Sequence, residues 1–383
     1  MDFTLTKEQK DIATAAKEFA QKEFPDRAQE FDRQETFDYA LWKKACELGF
    51  VGVNIKEEYG GAGMGIFECC LVMEEFWAAD AGIGGAILST TFGADLIDMF
   101  GTEEQKRKYI PPLPAGEAIM GTAITEPDAG SDAAAASTIA VRTGNEYVIN
   151  GSKMFITSAE YAGVFVVWAV TDKSAKKGSG ISTFLVENGV PGLTIGREEH
   201  KMGQCASSTN ELIFEDCRIP KSALMGKLNG GFKTAAGELA GGRIGIGSLA
   251  LGIGLAAMDY ATRYAMNRKQ FDQPITNFQA IQWMIAESYT ELEASRLLLM
   301  NAAFKKEQGK PFAREASMAK YYATEAADRA CYNAVQMLGG YGYTREFPVE
   351  RYARDVRITC IYEGTNQIQR LIIARDILNS LKE

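Results

Sequence analysis

The sequence predicts an α+β protein of three parts. These are an N-terminal helical domain over residues 1–117, a middle antiparallel β-domain over 118–228 and a C-terminal four-helix bundle over 229–383. Apolar residues recur with helical spacing at both ends of the chain, and short β-branched runs separated by turn residues fill the middle. A proline cluster at 111–114 and the glycine-containing run at 227–231 mark the two domain boundaries.

The N-terminal domain opens on a capping box. Thr6 and Gln9 have the spacing at which two side chains satisfy first-turn backbone amides reciprocally, and Ile12 and Phe19 then lie on one apolar face. Further helical patterns cover residues 39–48, 66–78, 83–100 and 103–109. The first third of the chain is therefore predicted to be helical.

The middle of the chain is predicted to form strands. The candidate runs cover residues 137–142, 147–150, 164–170, 181–186, 193–195 and 211–214. Asn150-Gly151, Asn188-Gly189 and Pro191-Gly192 separate several of these runs as turns, a pattern typical of an antiparallel sheet. The run at 164–170 is apolar throughout, so we expect that strand to be covered on both faces.

Four long helical stretches follow the second boundary. They cover residues 232–267, 278–308, 313–338 and 365–381, and four helices of this length favour a bundle.

Composition and charge exclude several classes of function. The chain has 383 residues, of which 46% are hydrophobic and 24% are charged, as is ordinary for a globular protein. Its net charge of -9 argues against nucleic-acid binding, which needs a concentrated basic face. The opening residues lack a signal peptide pattern, and the longest apolar run, at 244–258, is too short to span a membrane. We therefore expect a cytoplasmic protein with no membrane insertion.

The cysteines and the histidine restrict the chemistry further. Seven cysteines without CxxC spacing indicate reduced, packed thiols and no zinc site. His200 is the only histidine, which removes Ser-His-Asp and Cys-His catalysis and nearly all histidine-based metal sites unless His200 itself serves. Its charged neighbours predict an exposed loop position. No metal is expected.

A carboxylate near the C-terminus is the first candidate for catalysis. Glu363 lies between the apolar Ile361-Tyr362 and Gly364, and burial there would raise its pKa, as suits a base acting near neutral pH. The alternative is a helix-capping turn in which the glutamate has no chemical role.

Three other segments have the composition of ligand contacts. Thr125 to Asp132 contains a tight turn in which Gly130-Ser131 could bind a phosphate, or it is an ordinary β-turn. Phe155 and Thr157 could lie against a planar ring, or they could pack in the core. Arg268 could pair with a phosphate, or it could cap a helix.

Together these segments resemble the acyl-CoA dehydrogenase family over essentially the whole chain. The resemblance is carried by "MDFTLTKEQ", "ITEPDAGSD", "NGSKMFIT", "RKQFDQPI", "QMLGGYGYTREFPVERYARD" and "IYEGTNQIQR", in the family's order. It implies the same three-domain fold, usually assembled as a tetramer, a dimer of dimers.

The resemblance also implies a bound FAD and the residues that contact it. Ile124 and Thr125 would meet the flavin ring and Ser131 its pyrophosphate, while Phe155 would pack on the ring where many relatives have tryptophan. Thr157 would hydrogen-bond near the flavin N5. The contacts expected across the subunit interface are Arg268, Phe271, Gln336 and Gly340. Thr365 and Gln367 would hold the cofactor beside the base.

The chemistry that the resemblance implies is α,β-dehydrogenation of an acyl-CoA thioester. Glu363 would remove the α-proton while the flavin takes the β-hydride, and electron-transferring flavoprotein would accept the electrons. Small residues between 83 and 98 should line a wide acyl pocket, and the absence of arginine there disfavours a glutaryl-type substrate. We therefore expect a short, branched or cyclic acyl group. The expected substrate contacts are Ser131, Arg243, Thr90, Thr91, Tyr362 and Gly364.

Departures from the family pattern and rival functions leave alternatives open. Many relatives have an acidic residue where this chain has Ala240, so contacts to the pantetheine arm can differ. An enoyl-CoA reductase would run the same chemistry backwards with reduced electron-transferring flavoprotein. An oxidase would release hydrogen peroxide in air, and a non-enzymatic helical scaffold would stay colourless after FAD addition.

Overall fold

The structure, a computed structural model, describes residues 4–382, with the side chains of 236–238 left undescribed. The opening residues 1–3, part of the first family-like motif, lie outside the described residues. The N-terminal helices are α1 (Lys7–Glu23), α2 (Pro25–Gln34), α3 (Tyr39–Glu47), α4 (Ile66–Ala79), α5 (Ala81–Leu88), α6 (Ala94–Phe100) and α7 (Glu103–Tyr109). The Thr6–Gln9 capping box is present, which confirms that prediction.

The helix predicted over 83–100 is interrupted. Gly93, which precedes α6, has a φ of 111°, and a Cβ there would lie 2.8 Å from Met120 Sδ and from Val166 Cγ2. Only glycine allows the chain to turn so close to the neighbouring sheet. Helix α2 was not predicted, because ten mostly polar residues carry little apolar periodicity.

The middle domain is an eight-stranded sheet in the described part of the chain. Its strands are β1 (Met120–Ala123), β2 (Ile139–Thr143), β3 (Glu146–Thr157), β4 (Val164–Val170), β5 (Ile181–Glu187), β6 (Leu193–Glu198), β7 (Thr209–Pro220) and β8 (Leu224–Met225). The order is β6-β7-β3-β2-β4-β5-β8, with β1 beside β4. Six of the seven β4 residues are buried, which confirms a strand covered on both faces.

Two predictions about this sheet need correction. It is mixed, because β1 and β2 both pair with β4 in parallel, whereas the sequence suggested an antiparallel sheet. Asn150-Gly151 is an irregularity within β3 and not a turn that ends a strand. Gly151 has a φ of 141°, and a Cβ there would lie 2.7 Å from Thr138 Cα, so the strand needs glycine at this point. Turn-like composition inside a long strand misled the sequence reading.

The C-terminal domain contains the four predicted long helices. They are α8 (Gly231–Asn267), α9 (Gln279–Glu307), α10 (Ala313–Leu338) and α12 (Asn366–Ser380), and a shorter helix, α11 (Val349–Val356), was not predicted. A small hairpin, β9 (Lys269–Gln270) and β10 (Gln273–Pro274), follows α8. One hydrophobic core cluster includes side chains from all three domains.

Helix α8 lies at the centre of this bundle. Within residues 4–382, α8 is the one helix whose length and apolar composition would allow it to cross a membrane. Within its most apolar window, 78% of the residues are buried inside the protein, as in the core helix of a bundle.

The cysteine and histidine predictions agree with the structure. All seven cysteines are unpaired and six of them are buried, as expected for packed thiols. The His200 side chain is 78% exposed and its Nδ1 lies 2.9 Å from Glu35 Oε2, which confirms the exposed position.

Candidate active site

Glu363 lies in a tight turn that precedes α12. Glu363 has a φ of 53° and Gly364 a φ of 86°, so two successive residues adopt the left-handed region. Left-handed backbone is unfavourable for a glutamate, and such residues concentrate at functional sites. Thr365 is the N-cap of α12, where its hydroxyl accepts a hydrogen bond from the Ile368 amide at 3.3 Å. This N-cap therefore fixes the end of the turn to the first residues of α12.

The carboxylate of Glu363 points toward α8. Its Oε2 atom is buried and has no hydrogen-bond partner among the residues that the structure describes. The same atom lies 3.0 Å from the position that a Cβ would occupy at Gly242. A larger residue at 242 would crowd the carboxylate, and a buried acceptor without a partner is costly unless something binds it.

The electrostatics around Glu363 make its carboxylate a stronger base than that of an exposed glutamate. Burial raises the pKa of Glu363, and the positive charges of Arg243 and Lys320 partly offset that rise. Arg243 is itself buried and donates from Nη1 to Ser317 Oγ at 3.4 Å. Its Nε finds no hydrogen-bond acceptor in residues 4–382. An acid from the turn before α12 thus lies beside a cation with an unused donor, about a third of the way along α8.

Lys320 is a functional candidate that sequence reasoning missed. Its side chain is fully buried, and its Nζ donates to the Gly364 carbonyl at 3.0 Å and to Asn366 Oδ1 at 2.9 Å. The available signal was a lone lysine inside the alanine-rich face of α10, where Ala316, Ala319 and Ala323 are all fully buried.

The segment after β1 is fixed by a buried ion pair that the sequence analysis did not assign. Lys153 Nζ contacts Glu126 Oε1 at 2.7 Å and the Ile124 carbonyl at 3.1 Å. Glu126 also accepts hydrogen bonds from the Ser137 amide at 2.6 Å and from the Thr138 amide at 3.1 Å. Although burial opposes ionisation, Lys153 and the hydrogen bonds lower the pKa of Glu126 to about 2.

This ion pair brings two groups of predicted residues together. The Met154 amide donates to the Thr125 carbonyl at 2.9 Å, so Ile124 and Thr125 lie beside the part of β3 that carries Phe155 and Thr157. Phe155 has a φ of 60° and is 58% exposed, at an irregularity between Lys153 and Ile156. Its ring is therefore exposed on the surface and is not packed in the core. Ser131 is exposed in the loop that follows Thr125.

A separate cavity of about 450 Å³ contains three other predicted residues. Arg268, Gln336 and Gly340 line it together with Tyr341, whose ring lies 5.8 Å from the Arg268 guanidinium. None of the residues beside Glu363 lines this cavity. Phe271 does not line it either; it is 87% exposed, with its ring 5.9 Å from that of Phe278.

The predicted substrate residues differ in their surroundings. Thr90 is 1% exposed, and its hydroxyl donates to the Ile87 carbonyl and accepts from Trp42 Nε1 at 3.0 Å. This geometry does not favour a substrate contact for Thr90, because its hydroxyl already donates once and accepts once inside the core. Thr91 is half-buried beside Met120, Tyr362 and Gly364 flank Glu363, and Gln367 is exposed on α12.

The arrangement fits a planar cofactor and an acyl thioester. The unpartnered Glu363 Oε2 supplies a proton acceptor, and the exposed Phe155 supplies a flat apolar surface of the kind that a flavin ring needs. The Arg268 cavity is large enough to receive part of a dinucleotide.

Comparison with known proteins identifies the family. Models of the N-terminal, middle and C-terminal domains of acyl-CoA dehydrogenases match residues 6–117, 121–217 and 229–378. An acryloyl-CoA reductase (NADH) of Anaerotignum propionicum is 43% identical, covering 99% of this chain and 96% of that protein. A short-chain specific acyl-CoA dehydrogenase of Clostridium acetobutylicum is 44% identical, covering 98% of this chain and 100% of that protein.

A solved structure described as "Electron transferring flavoprotein of Acidaminococcus fermentans: Towards a mechanism of flavin-based electron bifurcation" superposes with a TM-score of 0.96. Its chain is 45% identical, and the match covers 99% of this chain and 100% of that one. The chain belongs to the acyl-CoA dehydrogenase family of oxidoreductases.

Proposed function

We propose that this protein catalyses FAD-dependent α,β-dehydrogenation of an acyl-CoA thioester to the 2-enoyl-CoA, with Glu363 as the base that removes the α-proton. The observation that carries the proposal is the buried Oε2 of Glu363, which has no protein partner in the described chain. Burial raises its pKa, so the ionised form is a stronger base than an exposed glutamate.

The residues that would hold FAD come from two places. Family relatives are flavoproteins, so FAD is the expected cofactor, and when bound it supplies the acceptor for the β-hydride. Ile124, Thr125, Phe155 and Thr157 are proposed to hold the ring, and Ser131 the pyrophosphate. Thr365 and Gln367 are proposed to hold the cofactor beside Glu363. Arg268, Phe271, Gln336 and Gly340 are proposed to meet a flavin bound by a neighbouring subunit.

The Glu363 turn also orients the substrate. In the proposed pose the thioester oxygen accepts a hydrogen bond from the Glu363 backbone amide, which stabilises the negative charge that develops as the α-proton leaves. A donor aimed at developing enolate charge is typically worth about 3–4 kcal/mol. Tyr362 and Gly364, next to the base, and the half-buried Thr91 are the proposed neighbours of the acyl group, and Arg243 lies beside the base.

The proposed substrate is a short, branched or cyclic acyl-CoA, and the proposed electron acceptor is electron-transferring flavoprotein. The similarity to a short-chain specific acyl-CoA dehydrogenase supports the first proposal. The similarity to a chain solved in work on an electron-transferring flavoprotein supports the second. We also propose a cytoplasmic homotetramer.

A second candidate function is the reverse reaction, reduction of an enoyl-CoA. The relative named acryloyl-CoA reductase (NADH), at 43% identity over nearly the whole chain, favours it. One active site lowers the barrier in both directions, so the residues above serve either function. Anaerobic titration of the FAD-loaded protein with a panel of acyl- and enoyl-CoA thioesters, including cyclic ones, identifies the substrate. The potential of bound FAD with and without product identifies the direction.

The first prediction concerns the base itself. Glu363→Gln should retain FAD and lower turnover by about 100- to 10,000-fold, because only the proton acceptor is lost. Steady-state kinetics and flavin absorbance measure the two effects, and Glu117→Gln, an exposed carboxylate, is the control. Turnover of Glu363→Gln within about tenfold of the unmodified protein would remove Glu363 from the mechanism.

A further inference from the structure

Lys320 lies directly beneath the turn that carries Glu363. The inference about it rests on the proposed role of Glu363 as the base. We propose that Lys320 is a positioning residue for that base: its ammonium group fixes the backbone that aims the Glu363 carboxylate and places a positive charge beside it. Every contact involved is between residues of this chain.

The hydrogen bonds of Lys320 converge on the residues that follow Glu363. Its Nζ bridges the Gly364 carbonyl at 3.0 Å and Asn366 Oδ1 at 2.9 Å. Asn366 is held in turn by Thr324, whose Oγ1 accepts from Asn366 Nδ2 at 3.0 Å. Gln369 Nε2 adds a second donor to the Gly364 carbonyl at 2.8 Å. Helix α10 therefore holds the turn through the Lys320 ammonium and the Thr324 hydroxyl, and α12 adds the side-chain amide of Gln369.

The turn needs this support because its backbone is unfavourable. Glu363 has a φ of 53°, and a non-glycine residue keeps such a conformation only where its surroundings enforce it. If the Gly364 carbonyl lost its donors, the turn could relax and carry the carboxylate away from α8. Catalytic geometry is sensitive to such shifts, since a displacement of about 1 Å can cost about 100-fold in rate.

Packing alone does not explain a lysine at this position. The side chain is fully buried on a helix face that also buries Ala316, Ala319, Ala323 and Ala327. Removing an ammonium group from water is costly, and apolar residues of similar size often replace buried charges without loss of stability. The hydrogen bonds and the charge that Lys320 supplies to its neighbours therefore explain a lysine here better than core packing does.

The charged and titratable groups around Lys320 come from several elements. Burial lowers the pKa of Lys320 to about 8; Cys360, Glu363 and Glu325 act to raise it, and Arg243 lowers it further. Lys320 in turn lowers the pKa of Glu363, as Arg243 also does. Because folding lowers the pKa of Lys320, its proton is bound more weakly in the folded state. Deprotonation of Lys320 above about pH 8 therefore does not destabilise the fold through this group.

Three substitutions separate charge from hydrogen bonding. Lys320→Met removes both, Lys320→Gln keeps a donor without charge, and Lys320→Arg keeps the charge. We expect Lys320→Met to lower kcat by about 100-fold with little change in KM. In the pH profile of kcat/KM, the acid limb of Lys320→Met should move to higher pH. The reason is that this variant lacks a positive charge that lowers the pKa of Glu363. Lys320→Gln should move the same limb, and Lys320→Arg should leave it in place.

A second readout does not depend on turnover. Hydrogen exchange of the backbone amides at 361–370 should accelerate in Lys320→Met, with and without FAD, and recover at least partly in Lys320→Gln. Lys22→Met, an exposed lysine on α1, is the control for both measurements.

The outcomes distinguish the two proposals. Loss of stability or of FAD in Lys320→Met with an unmoved acid limb, or unchanged exchange at 361–370, would overturn the positioning role. If Lys320→Met does not fold, an acid limb that moves in Lys320→Arg as far as in Lys320→Gln would overturn it as well. Failure of the proposed function has a different signature, which is near-normal turnover of Glu363→Gln measured in parallel.

Discussion

Three features of Glu363 are energetically unfavourable for folding, and all three suit a proton acceptor. Its backbone is left-handed, one carboxylate oxygen is buried without a partner, and burial raises the pKa of the group. Each of these features costs stability, with backbone strain alone worth about 1–3 kcal/mol. Their coincidence at one residue supports the proposed catalytic role over the helix-capping turn that the sequence left as an alternative.

Thr90 gives a prediction at the same scale, with the opposite meaning. Thr90→Val keeps the shape of the side chain but leaves Trp42 Nε1 without its acceptor. We expect a loss of about 1–3 kcal/mol in the free energy of unfolding, with the acyl preference unchanged. Denaturant unfolding and kinetics on two acyl chain lengths measure these quantities.

Thr194→Val is the matched control, because Thr194 is exposed on β6 and is not among the proposed site residues. A Thr90→Val protein that is fully stable but has an altered acyl preference would restore Thr90 to the substrate site.

The contrast between Glu363 and Thr90 shows how far residues can be assigned from sequence. The placement of Glu363 in a turn with a buried carboxylate oxygen was predicted, because its neighbours are apolar and Gly364 follows it. The buried surroundings of Thr90 were not predicted, because small residues in sequence do not reveal which hydroxyl faces a core tryptophan. Lys320 was missed because its partners, Gly364 and Asn366, lie more than forty residues away along the chain.

At the scale of elements, the segment between β1 and β2 depends on one buried ion pair. Its carboxylate, Glu126, has a folded pKa of about 2 against an ordinary value of 4.5. A carboxyl with a depressed folded pKa contributes stability above its unfolded pKa and loses it as pH falls through the folded value. The contribution of Glu126 is therefore complete above about pH 4.5 and disappears progressively toward pH 2.

This gives a prediction for acid stability. A Glu126→Gln/Lys153→Met double variant removes both charges, so it should lose less stability than the unmodified protein between pH 5 and pH 3. Lys153→Met alone leaves a buried charge without its partner and should cost about 3–5 kcal/mol. Urea unfolding at several pH values tests both expectations, with the exposed Glu104→Gln as the control. Parallel pH dependences for the double variant and the unmodified protein would contradict the assignment.

Elements were predicted best where periodicity is strong and worst where glycine is ambiguous. The long helices and β4 were found within one or two residues, because their apolar patterns extend over several turns or along a whole strand. Asn150-Gly151 and Gly93 were misread, since the same residues that form turns also form bulges and helix breaks. The parallel pairing of β1 with β4 joins strands about forty residues apart, which no local pattern records.

At the scale of the whole molecule, the residues of the described chain that line the Arg268 cavity do not include any from the Glu363 turn. Exposed large apolar side chains are also concentrated in the C-terminal domain, among them Trp283, Tyr332, Leu371 and Leu378. Both features support the proposed homotetramer, in which a neighbouring subunit covers this surface and brings its cofactor to the cavity. Sedimentation velocity should therefore show a species of four 41.8 kDa chains.

The same view predicts the effect of a change in the cavity. Arg268→Ala should weaken FAD retention while leaving the acyl preference unchanged, because a cation that can pair with phosphate is lost. FAD content after gel filtration measures the effect, and Lys269→Ala, the exposed neighbour, is the matched control. A variant that retains FAD normally would exclude Arg268 from the cofactor site.

Helices α4 and α8 touch at their backbones: a Cβ at Gly252 would lie 2.1 Å from the Glu74 carbonyl oxygen. Helices from the N-terminal and C-terminal domains are thus in direct backbone contact, although the family models assign them to separate domains. Separating these domains would expose to solvent the apolar surface that each now buries against the other. The boundaries between the family domains are consequently poor places to divide this protein. We expect the whole chain to fold and unfold as one unit.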